Sequence, residues 1–325
     1  MKINSNKLKS LILLSLVGSA STNEEKSTNQ TELTLNSLPQ ITTNFTKRGN
    51  ETDPTFVFAG YPLFLGHGGA SCSGSFAIVW PDEKAARGCS WGELSGFITS
   101  ANCCNRGYGG EDNCCSSNDC GGSKDVFLNS EDKIKLGYVQ RTSWDYIRKG
   151  IGDNDASFDF VFVANSNPEK DNIKFIPYVV GENNDLVPIT SYGPASVGER
   201  ACVYAATAAG RMCGKIVSLN EVERYRGDIG KIITEVGSDQ SDFGGPVYVE
   251  SKSGDQTIAQ LVGHINSYSY DSDKGFFIIY YTPVEKTLEI LATEENCHYV
   301  PLVYNETNAQ EYDQLIAQME IPPKK

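Results

Sequence analysis

The chain has 325 residues, of which 39% are hydrophobic and 21% charged, with 28 basic against 41 acidic residues and a net charge of −13. That length buries one large core or two modest ones. The acidic balance speaks against nucleic acid or an anionic membrane as partner, since both are held by basic patches. Its 31 glycines, set among short runs of Val, Ile, Tyr and Phe, point to a β-rich globular protein.

Residues 1–20 read as a secretory signal peptide. Lys2, Lys7 and Lys9 give the positive start, residues 11–17 the short apolar core, and Gly18-Ser19-Ala20 the small-residue cleavage site. This core falls far short of the ~20 residues that span a bilayer, so a secreted, extracellular protein is expected. Residues 21–54 are rich in Ser, Thr, Asn and Glu and cannot bury enough apolar surface to fold alone. Sequons at Asn29, Asn44 and Asn50, with a fourth at Asn305, mark this as a glycosylated, disordered segment of a secretory protein. Lys47-Arg48 is either the end of a propeptide or a pair of solvated basic residues.

From residue 55 the chain reads as short strands separated by turns: 55–58, 75–80, 96–99, 134–139, 159–163, 199–205, 232–236, 247–250, 256–262 and 275–281. Strands spaced this way, without alternating long helices, predict an all-β barrel or sandwich. A helical pattern follows at 283–291, with Pro283 at its start. A second amphipathic stretch covers 309–319 in a C-terminal extension, residues 293–325.

Ten cysteines behind a signal peptide point to disulfides. The cluster Cys103, Cys104, Cys114, Cys115 and Cys120 also admits a zinc or iron–sulfur reading, but adjacent cysteines in a Gly/Asn/Asp loop favour a stapled surface loop. His67, His264 and His298 show no paired metal-ligand spacing. Neither a metal nor a cofactor is expected.

Four stretches carry chemical meaning. They are Gly96-Phe97-Ile98-Thr99-Ser100-Ala101-Asn102-Cys103, preceded by Cys72; Ser157-Phe158-Asp159-Phe160; Ala201-Cys202 with Met212-Cys213-Gly214; and Ser241-Asp242-Phe243-Gly244-Gly245-Pro246-Val247. In this order they resemble the landmarks of the chymotrypsin-like serine proteases, most nearly the bacterial type of alpha-lytic protease and the streptogrisins. Leu261-Val262-Gly263 and Tyr281-Thr282-Pro283-Val284 match the later strands of that family. The resemblance covers about residues 57–292. It implies two six-stranded antiparallel Greek-key β-barrels, about 55–165 and 170–282, with a C-terminal helix, in a protease-homology domain over 55–292. It also implies Cys72–Cys103 and Cys202–Cys213 disulfides.

The departures from the family bear on activity. Where the family has a histidine that takes the nucleophile's proton, this sequence has Asn102, whose amide is no base near neutral pH. Where the serine belongs stands Phe243, which has no lone pair to attack a carbonyl. Asp159 alone remains of the triad positions. In the oxyanion loop Ser241 replaces a glycine beside Asp242, and Asn266-Ser267-Tyr268 replace the Ser-x-Gly of the substrate strand. Asp242 lacks the family's arginine, since that position is Val203; Arg200, Arg211 or solvent must meet its charge. The resemblance therefore implies a secreted protease homologue without catalysis. It would bind a protein or peptide, such as a protease inhibitor or an active protease. Two alternatives stand beside it. One is a serine-type endopeptidase with relocated chemistry, drawing on Ser238, Ser241, Ser267 and His264; the other is a structural glycoprotein.

Overall fold

A computed structural model describes residues 55–65, 71–82, 89, 95–104, 125–128, 134–142, 159–165, 173–205, 210–223, 227–234 and 242–318. The signal peptide, Asn29, Asn44, Asn50, Ser238, Ser241 and most of the cysteine-rich loop lie outside these residues, as do the side chains of Asn102 and Cys104. In chain order the strands are β1 (Thr55–Val57), β2 (Pro62–Leu65), β3 (Ser71–Ser73), β4 (Ala77–Val79), β5 (Gly96–Thr99), β6 (Asp125–Phe127), β7 (Lys135–Thr142), β8 (Val161–Asn165), β9 (Ile173–Phe175), β10 (Tyr178–Val180), β11 (Leu186–Tyr192), β12 (Arg200–Ala205), β13 (Gly210–Glu223), β14 (Gly227–Thr234), β15 (Pro246–Ser253), β16 (Gln256–Asp271) and β17 (Phe276–Pro283). Helix α1 (Val284–Glu295), strand β18 (Val300–Pro301) and helix α2 (Ala309–Gln318) complete the chain.

The strands form two eight-stranded sheets and a small parallel pair, β1 with β9. Within the first sheet, β3 and β4 are halves of one bent strand. Between them the Ser75 amide donates to the Ile98 carbonyl (2.7 Å) and the Ile98 amide to the Phe76 carbonyl (2.9 Å), so pairing with β5 carries across the bend. That continuity closes a ring in the order β2, β3/β4, β5, β8, β7, β6 and back to β2, every contact antiparallel. The second sheet closes as β12, β13, β14, β17, β16, β15 and back to β12, again antiparallel throughout. If the six strands of each ring are counted along the chain, both follow the order 1-2-3-6-5-4. The same Greek-key ring is thus built twice, as the sequence implies. Besides the β1–β9 pair, three strands lie outside the rings: β10 on β11, β11 parallel to β16, and β18 on β4.

Burial explains the centre of the first ring. All five residues of β8 are buried between β5 and β7, and they read Val-Phe-Val-Ala-Asn without the alternation of a half-exposed strand. Phe162 fills the space above Gly96, where a β-carbon would lie 2.3 Å from its ring.

Helix α1 begins directly after β17. Pro283 has φ −61° at the cap position, a value its ring imposes, and Asn296 ends the helix in the left-handed region at φ 53°. The helix leaves the second ring and its far end reaches the first: Glu295 pairs with Arg141 of β7 at 3.1 Å, and Cys297 is disulfide-bonded to Cys89. Beyond it, Tyr299 stacks on Trp80 at 4.1 Å between centroids, and β18 adds an edge strand to β4. The Tyr304 amide then donates to Ile189 in β11, and α2 buries Tyr312 and Leu315. The C-terminal extension is part of the folded body.

Phe162 tests the first ring. Phe162→Ala removes a fully buried ring and should cost about 3–5 kcal/mol of stability. A lowered urea midpoint with unchanged slope is the expected readout.

Candidate functional site

Three of the four motifs meet at the seam between the rings, and the fourth, the Cys202–Cys213 hairpin, lies within the second ring. The loop from Asp242 to Gly245 belongs to the second ring but lies against the first. The Ser73 amide of β3 donates to the Phe243 carbonyl at 3.0 Å, and Cys103 Sγ lies 3.5 Å from the same oxygen. Gly244 adopts φ +85°, and a β-carbon there would stand 2.1 Å from Thr99 Oγ1 and 2.3 Å from the Ser73 carbonyl. Both the turn and the close approach exclude a side chain. The Gly244 amide donates to the Ile265 carbonyl (2.8 Å) and the Ile265 amide to the Gly245 carbonyl (2.8 Å), tying the loop to β16. Asn102 sits in the single 3-10 turn Ala101–Cys104, held by the Cys72–Cys103 disulfide, whose Cα atoms are 5.9 Å apart. The second hairpin is closed by Cys202–Cys213, which face each other across β12 and β13.

Asp159 is buried beside this turn. Its carboxylate accepts a hydrogen bond from Ser100 Oγ at 2.6 Å, and its main-chain carbonyl accepts one from His264 Nε2. Ser100 and Asp159 belong to the first ring and His264 to β16 of the second, so Asp159 joins the two. The His264 bond places the ring proton on Nε2. Nδ1 is buried with no hydrogen-bond partner, and burial lowers the His264 pKa to about 4. An imidazole tied to a carbonyl in this way is neutral and structural. It makes no contact with the hydroxyl of Ser267, which is itself buried without a partner.

Phe243 is 4% exposed, and its ring lies 6.0 Å from that of Tyr268 at 48°. An apolar pair therefore fills the loop-facing side of β16. Asn266 is buried at an irregularity in the β16–β17 register and donates from Nδ2 to Thr282 Oγ1 at 3.4 Å. Asp242 is fully buried, which rules out solvent as the answer to its charge. Arg211 is engaged elsewhere, with Glu250 at 2.8 Å. Sequence reasoning overlooked Ser100, although a hydroxyl two residues before position 102 was the available signal. It weighed His264 as a base, and the structure shows a strut. Chemically the assembly can bury apolar surface and position main-chain groups. Among the described residues it offers no nucleophile–base pair.

No family model and no curated protein matches this sequence. Solved structures similar to it include Thermobifida fusca protease A, at 18% identity and TM-score 0.47 over 77% of this chain and 100% of that one. A glutamic acid specific serine protease is similar at 18% and 0.48, over 76% and 100%. An alpha-lytic protease homolog, N4, is similar at 16% and 0.45, over 73% and 98%. These neighbours are chymotrypsin-like serine proteases. The fold assignment itself rests on the doubled strand order.

His264 gives the seam a pH signature. Its folded pKa of about 4 lies below the ordinary 6.5, so between these values the unfolded chain holds a proton that the folded chain does not. Stability from this group is complete above pH 6.5 and is lost as pH falls toward 4, by about 3 kcal/mol. Denaturant titrations from pH 7 to 4 should show that loss, and His264→Gln should remove most of the pH slope. An unchanged slope in the variant would assign acid sensitivity to other groups.

Proposed function

We propose that this protein is a secreted, catalytically inert homologue of chymotrypsin-like serine proteases that binds a protein or peptide in the groove between its rings. One observation carries the reading: the position of the nucleophile is held by Phe243, buried against Tyr268. The surroundings support it. Asp159, which would orient a catalytic histidine, has its carboxylate on Ser100. Asn102 supplies no base. The buried Phe243 ring presents no reacting group at that position, so a chain seated in the groove is held without being cleaved.

Secretion is supported by the N-terminal signal pattern and by three disulfides among the described residues. No helix among the described residues is long and apolar enough to cross a membrane. The proposed ligand class, an inhibitor of serine proteases or an active protease, rests on the family resemblance and not on charge. Relocated hydrolysis finds no support in the described residues, because Ser267 and His264 do not meet.

A fluorophosphonate probe and a peptide-library digest test the reading together. No serine should be labelled and no peptide cleaved. Phe243→Ser alone should also be silent, because no base takes its proton, whereas Phe243→Ser with Asn102→His should give at most a trace of labelling. Robust turnover by the unmodified protein, abolished by changing one serine, would overturn the proposal.

A further inference from the structure

The C-terminal extension is held to the first ring by contacts of very unequal strength. Its non-covalent hold on β4 is a strand of two residues, Val300 against Val79 and Pro301 against Ile78, plus the Leu302 amide on the Ala77 carbonyl at 2.9 Å. Tyr299 adds its stack on Trp80 and a tilted contact with Phe162 at 5.5 Å. Against these stands one covalent bond, Cys89–Cys297, which joins residues 208 apart in sequence.

We propose that Cys89–Cys297 is a redox latch: reduction releases the strap of residues 296–318 from the first ring while both rings stay closed. The bond's setting distinguishes it from the other two. Cys72 and Cys103 are both buried, beneath the Phe243 carbonyl. Cys202 and Cys213 are fixed opposite each other by ladder pairs on either side, so opening that bond frees little chain and the thiols stay poised to re-form it. Cys89 is partly buried and Cys297 fully buried, so a reductant meets the Cys89 sulfur first; Cys213 is likewise partly buried, and there it is the paired ladder that resists opening. Once the bond opens, the short β18 pairing, the Leu302 amide bond and the Tyr299 ring contacts are what hold the strap near it, and the released chain gains freedom that favours the reduced form.

The reaction is a two-electron exchange with a dithiol. A thiolate of the dithiol attacks Cys89 Sγ, the Cys89–Cys297 bond breaks, and Cys297 leaves as a thiolate that takes up a proton. The Glu295 carbonyl lies 3.3 Å from Cys297 Sγ, placed to accept that new S–H. The second thiol then attacks the mixed disulfide, releasing Cys89 as a thiol and the reductant as its own disulfide. The Glu295–Arg141 pair and the seam at Asp159 do not depend on the bond and keep the rings together.

Dithiothreitol titration of the native full-length protein tests this, with alkylation read by mass spectrometry and amide exchange read on the same samples. Cys89 and Cys297 should become half-labelled at roughly a tenfold lower reductant concentration than Cys72, Cys103, Cys202 or Cys213. Exchange in residues 296–318 should rise while β5, β8, β15 and β16 stay protected. Cys89→Ala with Cys297→Ala should show the fast strap exchange without reductant. Earlier labelling of another of these pairs would overturn the proposal, as would joint opening with loss of protection in the rings. Selective opening that leaves strap exchange unchanged would also overturn it, since the other contacts would then hold the strap alone.

Discussion

Asp159 is the point where the two rings depend on each other. A buried carboxylate is tolerable only when its charge meets donors, and Ser100 supplies one at 2.6 Å from the same ring. The residue's carbonyl, an ordinary main-chain group, is what reaches across to His264. The Ser100 bond of the side chain is thus local, while the backbone makes the inter-ring bond. The Phe243 carbonyl reproduces this arrangement from the other side, taking the Ser73 amide across the same seam. Two main-chain carbonyls, one from each ring, fix the docking, and neither depends on the chemistry of the side chain that it carries.

That division explains how Phe243 is accommodated. The loop's path is set by the positive φ of Gly244, by its contact with Thr99 and Ser73, and by the paired amides of Gly244 and Ile265. A side chain at 243 is free to vary in kind so long as it finds a place. A serine hydroxyl buried there would need a partner, and loss of the neighbouring base would leave it unsatisfied. A phenyl ring needs only contact, and Tyr268 provides it. On the proposed reading, losing the base and gaining the ring are physically linked changes.

Legibility in the sequence followed contact with strong local signals. Strands such as β5, β8 and β12 lie in apolar runs bounded by turn residues, and the two motif-bearing disulfides were implied by the family pattern around Cys72, Cys103, Cys202 and Cys213. The strands β2, β3, β6, β9, β10, β11 and β18 were missed. All but β11 have two to four residues, too few to show a period, and exist because a neighbouring strand completes their hydrogen bonds. The predicted strand at 55–58 instead pairs in parallel with β9, outside either ring, a partner choice no local pattern encodes. At the site, the expectation that positions 102, 159 and 243 converge came only from motif order. The partners of Asp159 and His264 depended on which side chains face across the seam, information that spacing along the chain does not hold. Cys89–Cys297 was likewise open, because nothing in sequence brings the end of α1 to the first ring.

What remains of the protease pattern can be sorted by the kind of work each residue does. Asp159 bridges the rings through its carbonyl, taken by His264 from outside the pattern; Gly244 allows the loop to touch the first ring, and Cys72–Cys103 holds the turn under that loop. These tasks belong to folding and persist whether or not a bond is cleaved. On the proposed reading, the residues that differ from the pattern, Asn102 and Phe243, stand where the family's side chains move a proton and attack a carbonyl. At position 243 the main-chain carbonyl still takes the Ser73 amide across the seam, whatever side chain it carries. The retained motif is therefore weak evidence for catalysis on its own, since the same residues are required by a two-ring architecture that only binds. The discriminating positions are those whose sole use is chemical, and in this chain both carry side chains unable to perform it.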